Sequence, residues 1–375
     1  MPFFSPWVTN SDRKAVMDAL HSTFLTDGPK LRQFESDFAK FTGTRYAIGV
    51  SNATSALFLS LKACGIGKGD EVILPDLTFV ATANAVVHTG ATPVFTDVDK
   101  EEMNISINSI KNNITKKTKV ILPVHFAGRA CNMKEIIKIA KSNNLMVIED
   151  CAHAIGATSQ KKHVGTFGDA GCFSFYPTKN ITTVEGGMII TNSKKIAEYV
   201  NMARNHGITK SLIQRYTHGK PWDYDVVESG YNFRLDEIRS SLGISQLKRI
   251  RKLNFMRKKA HDYYNSKLSK IKGVITPVSS RVDHNAYHLY IIRIEKEYGI
   301  NRDELFRRLL ERGISTSVHY KPLHQFTVFR KFKNHTDNLK NTIALYSEMI
   351  SLPFYPNITR NEQDIVIKGI QESSS

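Results

Sequence analysis

The stretch Tyr46-Ala47-Ile48-Gly49-Val50-Ser51-Asn52-Ala53-Thr54-Ser55 decides how the chain folds: an apolar strand, a turn of small polar residues, then a helical run over 54–63. A strand that ends in such a turn and opens a helix leaves free backbone N–H groups at the junction, a natural seat for a phosphate. The same residue types also serve simply as helix caps. Outward from this stretch the alternation repeats. Residues 71–74 read as strand, 79–88 as helix, 93–95 and 120–124 as strands, 133–141 as helix and 145–148 as strand. Connections too long for hairpins predict an α/β fold with a mostly parallel sheet covered on both faces. Ligands of such sheets bind beyond the C-terminal strand ends. Residues 51–54, 76–79, His125 and Asp150 all fall at such ends.

Beyond Arg234 the texture changes. Leu235, Ile238, Leu242, Leu247, Ile250, Leu253, Ala260, Tyr264 and Leu268 keep helical spacing through a long basic segment, with Gly243 as the expected bend. Residues 287–294 alternate like a strand, 302–312 and 338–350 read as helices, and the tail 372–375 is expected to fray. The division read from this is a large domain, 1–245, and a smaller C-terminal α+β domain, 246–375. The polar stretch 207–219 reads as a mobile loop.

At 375 residues, 41% hydrophobic and 23% charged, the composition is that of an ordinary globular enzyme. No apolar run approaches the ~20 residues that span a bilayer, and the N-terminus lacks the pattern of a signal peptide. Cys64, Cys131, Cys151 and Cys172 match neither a zinc nor a disulfide spacing, so no metal site and a reducing, cytoplasmic compartment are expected. The net charge of +17 is spread along the chain without a nucleic-acid-binding motif. Solvated helix faces explain it better than nucleic acid, and attraction of an anionic substrate remains a third reading.

The chemistry concentrates in Ser174-Phe175-Tyr176-Pro177-Thr178-Lys179, followed by Glu185-Gly186-Gly187. Lys179 alone would read as a surface lysine. Upstream, Val147-Ile148-Glu149-Asp150-Cys151-Ala152-His153 is an apolar strand ending in an acid. An amine for a Schiff base plus a carboxylate for a ring nitrogen is the minimal signature of pyridoxal 5′-phosphate (PLP) chemistry. Lys179 is then Schiff-base residue and proton shuttle, and Asp150 the partner of the pyridine nitrogen. Glu149 points to the opposite sheet face, because strand side chains alternate. His153 lies against the ring or serves structurally. Ala53, Thr54 and Ser174 are placed for the phosphate, and Phe79 is a candidate for stacking on the ring, although such a phenylalanine alone is more often core. Asn232 reads as an ordinary helix cap, and His319, Tyr320 and His324 belong to a polar aromatic cluster that suits either wet surface or substrate contact.

Together these motifs resemble the DegT/DnrJ/EryC1/StrS family of sugar aminotransferases. The likeness runs through Gly28-Pro29, Ser51-Asn52-Ala53-Thr54, Thr78-Phe79, Pro123-Val124-His125, Glu149-Asp150-Cys151-Ala152-His153, Ser174…Lys179…Glu185-Gly186-Gly187, Tyr231-Asn232-Phe233-Arg234 and His319-Tyr320. Ala53 departs from the glycine usual in the family. The resemblance implies fold type I and a homodimer with active sites at the subunit interface, where Asn232 reaches the partner's cofactor phosphate. It also implies glutamate as amino donor, with pyridoxamine 5′-phosphate as the half-way form of the cofactor, and a nucleotide-linked keto sugar as acceptor. His125, Arg234, His319, Tyr320 and His324 match motif positions near the substrate. Amination at C4 of a deoxy sugar is favoured over C3, for surface glycan synthesis. The alternatives are an amino-cyclitol aminotransferase, a sugar dehydratase of the same family, and a non-catalytic regulator. Relatives that dehydrate carry histidine at the Schiff-base position, so Lys179 argues for transamination.

Overall fold

The computed structural model describes residues 1–209, 222–278, 284–332 and 338–374; positions 210–219 of the expected loop lie outside them. The strands follow as β1 (Tyr46–Val50), β2 (Glu71–Pro75), β3 (Thr92–Thr96), β4 (Thr118–Ile121) and β5 (Met146–Asp150). After them come a separate hairpin of β6 (Thr158–Ser159) and β7 (Lys162–His163), then β8 (Ala170–Ser174) and β9 (Gly187–Thr191). Seven of these make one sheet in the order β1-β9-β8-β5-β4-β2-β3. All its pairings are parallel except those of β9, which runs against both neighbours.

The period of two along each strand sorts side chains between two cores. Val72, Leu74, Val120 and Ile148 face the core built with α3 (Ala53–Ala63), α4 (Val80–His88) and α7 (Lys194–Ala203). Ile73, Ile121 and Val147 face α6 (Met133–Ser142), while Met188 and Ile190 meet Phe34 and Phe38 of α2 (Pro29–Thr42). Both faces being covered, Val72-Ile73-Leu74, Val120-Ile121 and Val147-Ile148 are apolar runs, as strands buried on two sides favour.

The C-terminal part is a three-stranded antiparallel sheet of β10 (Val274–Ile275), β11 (Ile291–Ile294) and β12 (Met349–Ser351). Around it pack α9 (Ile250–Leu268), α10 (Arg302–Glu311) and α12 (Arg360–Ser373), through Tyr264, Leu268, Leu305, Leu309, Val366 and Ile370. The four cysteines are unpaired. No described helix is long and apolar enough to cross a membrane.

Several local expectations are corrected. The long basic helix is two: α8 (Glu237–Leu247) is capped by Lys248, and α9 starts after its cap Arg249. Gly243 is no bend; a Cβ there would stand 2.6 Å from Cζ of Phe34, so glycine is the notch that lets α2 and α8 meet. The helix expected over 338–350 stops at Glu348 in α11 (Lys340–Glu348), and Met349–Ser351 pairs with β11 instead. The tail does not fray at 372, because α12 continues to Ser373, which is buried with Oγ bonded to the Gly369 carbonyl.

Candidate active site

Above the C-terminal ends of β1, β2, β5 and β8 lies a cavity of about 550 Å³, lined by Asn52, Ala53, Thr54, Phe79, Thr82, Asp150, His153, Ser174, Lys179, Glu185, His319 and Tyr320, among others. Its floor is Asp150, 4% exposed at the end of β5. The carboxylate accepts from Ala152 N at 3.0 Å and from Thr82 Oγ1 at 2.9 Å. Burial raises its pKa above the usual carboxylate value; those two donors and the nearby Lys179 ammonium oppose the rise. Lys179 sits in the turn after β8, its N–H bonded to the Tyr176 carbonyl. Burial lowers its amine to about 8, against the opposing pull of Asp150. A lysine brought this close to neutrality is suited to nucleophilic and proton-transfer work.

The phosphate seat follows from helix geometry. Asn52 caps α3, and its Oδ1 takes Ser55 N at 2.8 Å. Ala53 N and Thr54 N, on the first turn, have no intrahelical acceptor and lie at the cavity wall. Gly187 of β9 makes this approach feasible: a Cβ there would meet Asn52 C and O at 2.5 Å and Ala53 N at 2.8 Å. The Ala53 methyl leaves the amides in place. Ser174 adds a hydroxyl to the lining. Phe79, ahead of α4, is 54% exposed although it stands in a cavity, and its ring is 5.7 Å from that of Tyr320. An exposed aromatic beside a buried acid, an amine and free helix amides fits a flat ring with a phosphate tail.

His153 is buried and carries a pKa well below the ordinary histidine value, first through burial and then through the Lys179 charge. Its Nδ1 accepts from Ala127 N at 3.4 Å, so the proton is assigned to Nε2, which meets Tyr320 Oη at 3.1 Å. If Tyr320 accepts that bond, its own hydroxyl proton is left for the cavity. His319, lowered by burial to about 4, is held by Ser351 Oγ at 2.8 Å. Thr82 escaped the sequence reading. Thr82 lies in the first turn of α4, and its hydroxyl is 3.0 Å from that of Thr78, which stands just before the cap residue Phe79.

Three expected substrate contacts are not in this cavity. His125 is fully buried, with Nε2 on Glu149 Oε2 at 2.9 Å and Nδ1 accepting from Cys131 N at 3.0 Å. Both ring nitrogens being engaged behind the sheet, it cannot reach a substrate; this corrects its assignment. Glu149 does face away from Asp150, and its oxygens also take Gly165, Phe167 and Gly168 N at 2.7–2.8 Å. With Cys151 this trio could surround a cation, yet Glu149 is already satisfied by four donors. His324 is tied to Asp76, Nδ1 to Oδ2 at 2.6 Å. Arg234 donates to Asn205 Oδ1, and Asn232 is exposed, each outside the cavity of its own chain.

The sheet order, with one reversed strand, and this grouping of residues are those of a fold-type-I PLP enzyme. A family model places the chain more closely. The DegT/DnrJ/EryC1/StrS aminotransferase family matches residues 7–371. The chain belongs to this family, and is a PLP-dependent aminotransferase. Spore coat polysaccharide biosynthesis protein SpsC of Bacillus subtilis is 38% identical over 99% of this chain and 96% of its own. Among solved structures, PseC of Helicobacter pylori, an aminotransferase of pseudoaminic acid biosynthesis, superposes with a TM-score of 0.92 at 31% identity, covering 99% and 98% of the two chains. Spr1654 of Streptococcus pneumoniae, known in PMP, PLP and apo forms, is equally similar in fold. Its PMP form has a TM-score of 0.92 at 30% identity over 100% and 99% of the chains.

Proposed function

We propose that the protein transfers the amino group of glutamate to the C4 keto group of a nucleotide-linked deoxy sugar, in the synthesis of a surface glycan. The observation that carries this reading is Lys179 itself, an amine brought to about 8 opposite a buried acid, where the dehydrating branch of the family would carry histidine. The named roles of SpsC and PseC, in polysaccharide and pseudoaminic acid biosynthesis, support an amino sugar as product.

PLP, when bound, supplies an aldehyde that condenses with amines and a ring that draws electrons from the carbon beside the nitrogen. The chain does the rest. Ala53 N, Thr54 N and Ser174 Oγ would hold its phosphate, Phe79 would stack on its ring, and Asp150 would keep a proton on the ring nitrogen. Lys179 Nζ removes the Cα proton of glutamate in one half of the cycle, and in the other returns a proton to the sugar carbon that receives the amine. Tyr320, with His153 behind it, donates its hydroxyl proton into the cavity, and His319 contacts the substrate from the same side. Asn232 and Arg234 complete the site of a partner subunit in a homodimer; their position outside their own cavity supports this. The test is incubation with ¹⁵N-glutamate and a panel of nucleotide-linked 4-keto and 3-keto deoxy sugars and a keto-cyclitol, with mass spectrometry of products. A ¹⁵N-labelled 4-amino sugar is expected. A label only in the 3-amino sugar or the cyclitol, or a product lighter by water and without nitrogen, would refute it.

A further inference from the structure

A second recess, of about 460 Å³, opens between α1 (Asn10–Leu20), α2 and α8, and shares no residue with the cavity around Lys179. Lys14, Lys30, Lys248 and Arg249 line it against a single lining carboxylate, Asp18. None of the three lysines has an ion-pair partner among the described residues. Two of its lining groups are also unsatisfied. Ser241 is 3% exposed, and its hydroxyl lacks a hydrogen-bond partner among the described residues. Arg249 Nε and Nη1 are buried without acceptors as well. The guanidinium is fixed by Nη2 on Asp12 and lies over the Trp7 ring, 5.5 Å from its centre. Asp12 cannot serve the rest, since Thr9 N, Thr9 Oγ1, Ser245 Oγ and Gln246 Nε2 already occupy its oxygens.

A buried donor without an acceptor is costly, and native proteins retain few of them. Here a hydroxyl and a guanidinium edge stand beside three unpaired ammonium groups. The missing element is an anionic acceptor with several oxygens, which an arginine, a hydroxyl and lysines together match. A hydrophobic ligand is excluded by the same inventory. We propose that this recess binds a phosphoryl anion, a mono- or diphosphate, and so ties α1 and α2 to α8 at a site separate from catalysis.

The test is calorimetric titration of the full-length, PLP-loaded protein, whose cofactor-phosphate seat is thereby filled, with inorganic phosphate and with pyrophosphate. Chloride holds the ionic strength constant. Wild type should bind at least one of the two saturably. Lys30→Gln/Lys248→Gln should bind at least about tenfold more weakly, the value of one charge-assisted contact, with an unchanged melting temperature in the free state. Ser241→Ala should bind several-fold more weakly while melting no lower than wild type, because it removes an unsatisfied group. Preference for pyrophosphate assigns a diphosphate ligand, and preference for phosphate a monophosphate. No saturable binding to wild type, or wild-type binding by the double variant, would overturn the proposal.

Discussion

Replacing Thr82 by Val removes one hydroxyl, keeps the volume, and acts on Asp150 alone among the groups proposed to meet the cofactor. Thr82 Oγ1 is one of two donors to a carboxylate that is 4% exposed and already held above its usual pKa by burial. A hydrogen bond to a charged group contributes about 1.5–3 kcal/mol. Losing it raises the Asp150 pKa further, because burial then acts with one opposing donor fewer. The carboxylate then pairs less well with a protonated ring nitrogen, and PLP affinity should fall about 10- to 100-fold. Thr82→Ser keeps the hydroxyl and should stay near wild type. The assay is absorbance titration of the apo-protein with PLP and, in parallel, with a deaza analogue lacking the ring nitrogen. The analogue should bind Thr82→Val and wild type alike, since its affinity owes nothing to that pairing. Equal weakening of both ligands, or none of either, would refute the role assigned to Thr82.

Three further outcomes follow from the geometry. With Lys179 at about 8, the amine is neutral in roughly a tenth of molecules at pH 7, about 300 times the fraction at an ordinary lysine value. Borohydride-trapped capture of PLP by apo-protein should therefore rise with pH to about 8 and level off; a rise continuing to pH 10 would contradict the lowered value. The same shift makes the folded state bind fewer protons than the unfolded one between about 8 and the ordinary lysine value of 10.5, so this group's contribution to stability rises with pH there. In thermal melts apo Lys179→Met should exceed wild type at pH 7, with the gap closing toward 10.5. Gly187→Ala forces a methyl against backbone atoms of Asn52 and Ala53; it should weaken PLP at least about tenfold yet leave binding of pyridoxal, which has no phosphate, nearly unchanged.

The sheet and its ligand end were legible because parallel strands covered on both faces are apolar at their centres, as Val72-Ile73-Leu74 and Val147-Ile148 are. Lys179, Asp150, Phe79 and the 51–54 turn could be placed because strand ends and helix starts are where such chemistry is held. What escaped depended on contacts distant in sequence. Gly243 signalled a bend, but its freedom is spent on the Phe34 ring. Met349–Ser351 continued a helical spacing, but β11 claims its backbone. His125 ended a strand as Asp150 does, yet its nitrogens turn to Glu149 and the Cys131 amide, a partnership that no spacing announces. Thr82 looked like any helix threonine until Asp150 was found beneath it.

The central claim is that the Lys179 amine moves the proton at glutamate Cα. The direct measurement is NMR of hydrogen–deuterium exchange at that carbon, with PLP-loaded protein and glutamate in D₂O, for wild type and Lys179→Ala, the variant's glutamate affinity being measured alongside. Wild type should exchange the Cα hydrogen and release 2-oxoglutarate. Lys179→Ala should bind glutamate but exchange it at least about 10²-fold more slowly, the usual contribution of a positioned acid–base group, with partial rescue by added methylamine. Exchange at the wild-type rate in Lys179→Ala would contradict the account.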